Sequence, residues 1–109
     1  FFKLDFIESN CIKAWRGIGW CSFISQKHEQ AMKYYEKIIE QKPLAIDYMN
    51  AGHVAWVMGD IQKAAVFYGK AITASGNRER FLEMFHKDEE ALLTQGIREE
   101  DIPLMLDLL

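Results

Sequence analysis

An internal repeat is the feature that most constrains how this chain can fold. When the sequence is shifted by 33 residues, aromatic, small and aliphatic residues fall on residues of the same kind. The matched pairs are Trp15 with Tyr48, Gly19 with Gly52, Ala31 with Ala64, Tyr35 with Tyr68, and Ile39 with Ile72. Apolar residues recur at i, i+3/i+4 and i+7, which is typical of amphipathic helices. The period therefore predicts an all-α fold in which helical hairpins stack on one another.

Breaks in the helical pattern divide the chain into predicted elements. We expect helices over residues 11–25, 29–41, 45–58, 61–74 and 78–95, and a short last helix capped by Asp101 with Pro103 in its first turn. Ser9 or Asn10 is the expected start signal of the first helix. Gly96 followed by Ile97 is typical of a Schellman helix end.

Two glycines lie inside predicted helices, where glycine costs about 1 kcal/mol relative to alanine. Gly19 and Gly52 hold equivalent places in the repeat. We expect each to lie where the first helix of a hairpin crosses the second, facing Ala31 or Ala64, because small residues let backbones approach closely. Leucine at either glycine should therefore overpack the crossing and lower the free energy of unfolding by about 1–3 kcal/mol.

These residues carry a family resemblance. Trp15-x2-Ile18-Gly19, then Ala31-x3-Tyr35 and Pro43, resembles the tetratricopeptide repeat, a helix–turn–helix unit of about 34 residues. The second copy reads Tyr48-x2-Ala51-Gly52, then Ala64-x3-Tyr68 and Ala71. Ser22 and Ala55 depart from the usual tyrosine, and Gly76 replaces the closing proline. The resemblance implies a right-handed stack of antiparallel helix pairs.

The repeat boundaries predict one domain over residues 1–109. Residues 1–10 are the tail of a preceding repeat, 11–44 and 45–77 are repeats, and 78–109 are a partial repeat and a cap. The cap should pack Ile102, Leu104, Met105 and Leu108 over the open end. The ending over residues 99–107 is similar to bacterial proteins of this class, and the opening inside a helix suggests a fragment of a longer, cytoplasmic chain.

Neither the composition nor the spacing of residues indicates a catalytic site or a metal site. The net charge of −3 gives no reason to expect nucleic acid or a membrane as a partner, and no apolar run approaches the ~18–20 residues of a membrane span. Cys11 and Cys21 are expected to be buried and reduced. The three histidines share no metal-ligand or catalytic spacing and are expected on the surface or in a groove. We therefore predict a chain without enzymatic activity, cofactor or metal.

A second stripe on the first helix of each unit predicts a binding groove. This stripe differs from the packing stripe, and in stacked hairpins of this class it lines the concave surface. The predicted groove residues are Lys13, Arg16, Trp20, Phe23, Met49, Asn50, His53, Trp56, Arg80 and Lys87. Aromatic residues, methionine and arginine are enriched at interfaces, so the groove suits a peptide with apolar anchors and an acidic group.

Several alternatives stay open from the sequence. Trp20, Phe23 and Trp56 could pack against one another or against a preceding repeat instead of a partner. The apolar segment over residues 1–7 could bury itself against a second copy, which would make the chain a self-associating structural element. The chain could also be the helical arm of a longer enzyme. A protein or peptide partner in the groove is the principal expectation.

Overall fold

A computed structural model describes the backbone of residues 2–109 and the side chains of residues 10–109. The helices of this part of the chain are α1 (Phe2–Ile24), α2 (His28–Gln41), α3 (Ala45–Val57), α4 (Ile61–Ser75), α5 (Arg78–Lys87), α6 (Glu89–Thr94) and α7 (Asp101–Asp107). No strand occurs among the described residues. The predicted all-α class is therefore confirmed.

The first helix is longer than predicted. α1 begins at Phe2 and continues without a break to Ile24, so a helix start at Ser9 or Asn10 is wrong. Neither residue interrupts the helix, because serine and asparagine are only weakly unfavourable in a helix interior. The predicted packing of the segment over residues 1–7 lies outside the described side chains.

Two helical hairpins form the body of the structure. α1 packs against α2 and α3 against α4, while α2 contacts α3 and α4 contacts α5, so that each hairpin rests on the next. The repeated residues Ala31, Tyr35, Ala64 and Tyr68 are all fully buried between the helices. Part of the pattern that revealed the repeat in the sequence thus fills the core, while Trp15, Tyr48, Ile39 and Ile72 pack against it half-buried.

The two helical glycines do make room for close packing, but for a different neighbour from the predicted one. A Cβ built on Gly19 would lie 3.1 Å from the ring of Tyr35, and a Cβ on Gly52 would lie 2.7 Å from the ring of Tyr68. The nearest facing group is the aromatic ring of the second helix, which the prediction, naming Ala31 and Ala64, did not include. The missing side chain makes space for a buried tyrosine.

Three helices end in the same backbone motif. The amide of Ile97 donates to the carbonyl of Leu92 and Gly96 N–H donates to Leu93, which confirms the predicted Schellman end of the fifth predicted helix. Gly59 ends α3 in the same way with a φ of 90°. The same motif follows α1, where the residue with positive φ is Gln26 (φ 64°) and not a glycine. Left-handed backbone costs about 1–2 kcal/mol for residues other than glycine.

Replacing Gln26 by glycine should therefore stabilise the protein. The Gln26 side chain is exposed, so its removal loses little packing, and glycine adopts positive φ without steric penalty. We expect the free energy of unfolding to rise by about 1 kcal/mol in urea denaturation. Gln26→Ala, which retains the Cβ, is the matched control and should gain nothing. Equal stability of the glycine and alanine variants would contradict this account.

The third unit departs most from the prediction. The single helix expected over residues 78–95 is two helices, because the backbone of Asp88 (φ −102°, ψ −1°) interrupts the regular hydrogen bonds between α5 and α6. After Gly96 the chain returns to α7, which is tied to α5 by a 2.9 Å hydrogen bond from the Arg78 guanidinium to the Leu106 carbonyl. Glu100, and not Asp101, occupies the cap position of α7.

α7 covers the end of the stack with only part of its apolar surface. Ile102 and Met105 are buried as predicted, whereas Leu104 and Leu108 are exposed. These two leucines lie four residues apart and so share one face of α7. The prediction that all four residues pack over the open end is therefore wrong for Leu104 and Leu108.

Both cysteines lie on α1. Cys11 is half-buried and Cys21 is exposed, so the predicted burial is wrong, although both thiols are free. Ten residues of one helix separate them by about 15 Å, too far for a disulfide. In the described part of the chain, no helix combines the length and apolar character needed to cross a bilayer.

Candidate functional site

The predicted groove is largely filled by the protein itself. Four of the ten predicted groove residues, Phe23, Met49, His53 and Trp56, are buried. Their placement on an open surface is therefore corrected. Helical spacing places these residues on one stripe of each helix, but it carries no information about what covers that stripe.

The aromatic residues of the stripe pack against one another. The ring centroid of Phe23 lies 5.5 Å from that of Trp20 and 6.5 Å from that of His53. His53 in turn lies 5.5 Å from Phe85 of α5. Aromatic pairs at such distances stabilise by about 0.5–1.5 kcal/mol beyond the area they bury. This contact row links α1, α3 and α5, which supports the internal packing that the sequence left as an alternative.

α6 covers this aromatic row. It begins beside α3, where Asp88 meets His53, and it ends beside α1, where the Gln95 amide donates to the Phe23 carbonyl at 2.8 Å. The Gln95 side-chain oxygen also lies 2.8 Å from Nε2 of His28 at the start of α2. Leu92, midway along α6, is fully buried. The last third of the chain therefore closes the part of the groove that contains Phe23 and His53.

His53 is the centre of a buried polar chain. Its Nδ1 lies 2.6 Å from the Tyr68 hydroxyl and its Nε2 lies 3.1 Å from a carboxylate oxygen of Asp88. Because the carboxylate only accepts, Nε2–H donates to Asp88 and Nδ1 accepts from the Tyr68 O–H. Burial lowers the pKa of His53 below 6.5, and the nearby Asp88 opposes that shift. Burial likewise raises the pKa of Tyr68 well above 10.

The lowered pKa of His53 makes stability depend on pH. Below about pH 6.5 the unfolded chain binds a proton at His53 that the folded protein does not, so the unfolded state is favoured as the pH falls. We expect this residue to reduce the free energy of unfolding by up to about 1.4 kcal/mol per pH unit below pH 6.5. Urea denaturation between about pH 7.5 and pH 5.5 measures this slope. His53→Gln should show a shallower slope than the unmodified protein, and equal slopes would contradict the assignment.

Arg16 is held by a residue that the sequence reasoning missed. Its Nε and Nη2 atoms lie 2.7 and 2.8 Å from the two carboxylate oxygens of Asp47, a bidentate pair. Asp47 is fully buried and also accepts from the Leu44 N–H at 2.7 Å, at the start of α3. The hydrogen bond to Asp47 raises the pKa of Arg16. An acid in the first turn of a helix was the available signal, since acids favour that position.

The predicted groove residues Lys13 and Arg80 stay exposed, and so does Ile46, which the groove prediction did not include. Lys13 of α1, Ile46 of α3 and Arg80 of α5 hold equivalent positions in successive units, and all three side chains are exposed. α1 contacts α3 and α3 contacts α5, so these residues occupy matching positions of neighbouring helices. We call Lys13, Ile46 and Arg80 the open row.

The remaining predicted groove residues are Trp20, Asn50 and Lys87. Trp20 and Asn50 are half-buried, and Lys87 is exposed at the end of α5. The Asn50 side-chain oxygen is enclosed and has no hydrogen-bond partner among the described residues. Lys87 belongs to the end of the groove that α6 covers, so the structure does not bring it together with Lys13 and Arg80.

The described residues assemble no metal site. No three His, Cys, Asp or Glu side chains of this part of the chain converge in a way that could hold a metal ion. His86 and Glu89 form an exposed pair at 3.0 Å, with no further ligand beside it. The chain Tyr68–His53–Asp88 contains a fully buried imidazole that a substrate cannot reach. Its role is to fix the junction of α5 and α6 on α3.

Comparison with known proteins assigns the repeats. The family model described as tetratricopeptide repeat matches residues 12–43 and 48–78, which together make up more than half of the chain. The first range covers the second half of α1 together with α2, and the second covers most of α3 together with α4. No curated protein and no solved structure is significantly similar to the chain. From the two matched repeats and the stacked hairpins that they form, the chain belongs to the tetratricopeptide repeat family.

Proposed function

We propose that the chain is a non-catalytic protein-interaction module that binds an extended segment of a partner protein on the open row. Tetratricopeptide repeats generally act as such modules. The observation that carries the proposal is the exposure of Lys13, Ile46 and Arg80 at matching positions of three adjacent helices. The aromatic half of the same face is closed by α6.

The chemistry of the open row favours a particular kind of segment. Ile46 is 43% exposed and lies between two cationic side chains. An apolar side chain of the partner can therefore contact Ile46 while flanking carboxylates pair with Lys13 and Arg80. Charge pairs at an exposed rim act mainly on the association rate and on specificity. The partner segment that fits is extended and carries an apolar residue between acidic ones.

Capture of partners from cells that express the protein tests this proposal. We expect the triple variant Lys13→Glu, Ile46→Ser and Arg80→Glu to lose at least about tenfold of the captured partner, the equivalent of 1.4 kcal/mol in binding. All three residues are exposed, so the fold should persist. Circular dichroism of the variant checks that the helices are retained.

A matched control reverses charges on the outer helices. Lys33→Glu with Lys70→Glu changes two exposed lysines of α2 and α4, away from the open row, and it should capture as much partner as the unmodified chain. Equal capture by the triple variant would refute binding on the open row. Light scattering over a range of concentrations checks the alternative that the chain associates with itself.

A further inference from the structure

A second surface lies at the end of α3 opposite to Ile46. A cleft of about 470 Å³ opens between the end of α3, the start of α4 and the outer face of α7. Trp56 and Met105 form its buried lining. Ile61, Leu104 and Leu108 line it with side chains that are 52%, 62% and 63% exposed. Large apolar side chains exposed together in this way are typical of interaction sites.

Carboxylates stand beside this apolar surface. Asp101 and Asp107 line the cleft from the two ends of α7, and none of its lining residues with a described side chain is basic. Neither aspartate takes part in an ion pair among the residues with described side chains. Arg78 donates to the Leu106 carbonyl, and Arg98 pairs with Glu100. The cleft therefore combines an apolar floor with two carboxylates that form no ion pair among these residues.

The geometry points to this cleft as a docking site for a basic amphipathic helix of a partner protein. Leucine or similar side chains of that helix fill the space between Ile61, Leu104 and Leu108, and lysine or arginine side chains pair with Asp101 and Asp107. The open row requires an acidic segment, so the two surfaces select partners of opposite charge. The cleft can bind with the open row either empty or occupied.

Titration with a defined peptide, followed by nuclear magnetic resonance, tests the inference. The probe is a synthetic helical peptide with leucine on one face and lysine on the other. We expect chemical-shift changes at the Trp56 indole N–H and at the amides of Ile61 and Leu104. Leu104→Ser should weaken binding by about tenfold, because it removes most of one leucine contact from an already exposed position. Asp107→Asn should also weaken binding. The difference in affinity between this variant and the unmodified protein should be larger at low salt, where the charge pair is less screened.

Matched controls separate this site from general attraction between a basic peptide and an acidic protein. Val66→Ser removes a similarly exposed apolar side chain of α4 outside the cleft and should leave binding unchanged. The same peptide with glutamate in place of lysine should not bind. Absence of shifts, shifts centred elsewhere, or full affinity of Leu104→Ser would each overturn the inference. So would a dimer of the free protein that Leu104→Ser converts to a monomer, since the occupant would then be a second copy.

Discussion

Replacing Gly52 by alanine is expected to destabilise the protein, although the same change in an ordinary helix stabilises it by about 1 kcal/mol. The added methyl group would lie 2.7 Å from two ring carbons of Tyr68. The ring cannot easily move, because it is fully buried and its hydroxyl lies 2.6 Å from His53. Overpacking of a core commonly costs about 1–3 kcal/mol. We expect a net loss in that range in urea denaturation, and a larger loss for Gly52→Leu.

Gly17 and Gly19, which both lie in α1, provide matched controls for Gly52 in α3. A Cβ on Gly17 meets no atom within 4 Å, so Gly17→Ala should stabilise by up to about 1 kcal/mol. Gly19→Ala should fall between the two, since its Cβ would lie 3.1 Å from Tyr35. We therefore expect Gly17→Ala to be the most stable of the three variants, Gly19→Ala to be intermediate and Gly52→Ala to be the least stable. If Gly52→Ala stabilised as much as Gly17→Ala, the tyrosine contact would not be the reason for glycine at this position.

Arg16→Leu is the second change with a large expected effect. It would leave the fully buried carboxylate of Asp47 with a single donor, the Leu44 N–H. Removing one partner of a buried ion pair costs about 3–5 kcal/mol, because the remaining charge is unpaired away from water. We expect about 3 kcal/mol, since the Arg16 side chain is 29% exposed and water can replace part of its contact. Urea denaturation measures the loss.

A double-mutant cycle identifies the cause of that loss. Asp47→Asn removes the charge and retains an oxygen that can accept from the Leu44 N–H. The double variant Arg16→Leu with Asp47→Asn should therefore be more stable than Arg16→Leu alone. If the double variant lost as much as the sum of the two single variants, the coupling between the two side chains would be absent. Retained stability of Arg16→Leu itself would contradict a role for the pair.

The repeat could be predicted from the sequence because its signal is local. Glycine, alanine and tyrosine recur at fixed spacing, and each residue packs within its own hairpin, as Gly52 does against Tyr68. The ends of α2, α3 and α4 also follow from nearby turn residues such as Pro43 and Gly59. These contacts lie within one repeat, where amphipathic spacing fixes which face is buried.

The coverage of the groove could not be predicted, because it depends on contacts between distant parts of the chain. The sequence around Asp88 contains no proline or glycine that would break a helix. The break forms where Asp88 meets the buried His53 and where Gln95 reaches the Phe23 carbonyl, 72 positions earlier in the chain. Asp47 escaped notice for the same reason, since its partner Arg16 belongs to the preceding repeat.

The path of α6 has a consequence for how the molecule unfolds. Linear repeat arrays are stabilised by contacts between adjacent units, so they can lose terminal units while the rest persists. Gln95 donates to the Phe23 carbonyl and accepts from the His28 ring, and these hydrogen bonds join the last unit directly to the first hairpin. If either end of the array unfolds, the other end loses these hydrogen bonds and is destabilised as well. Cooperative loss of all helices together follows, in place of fraying from one terminus.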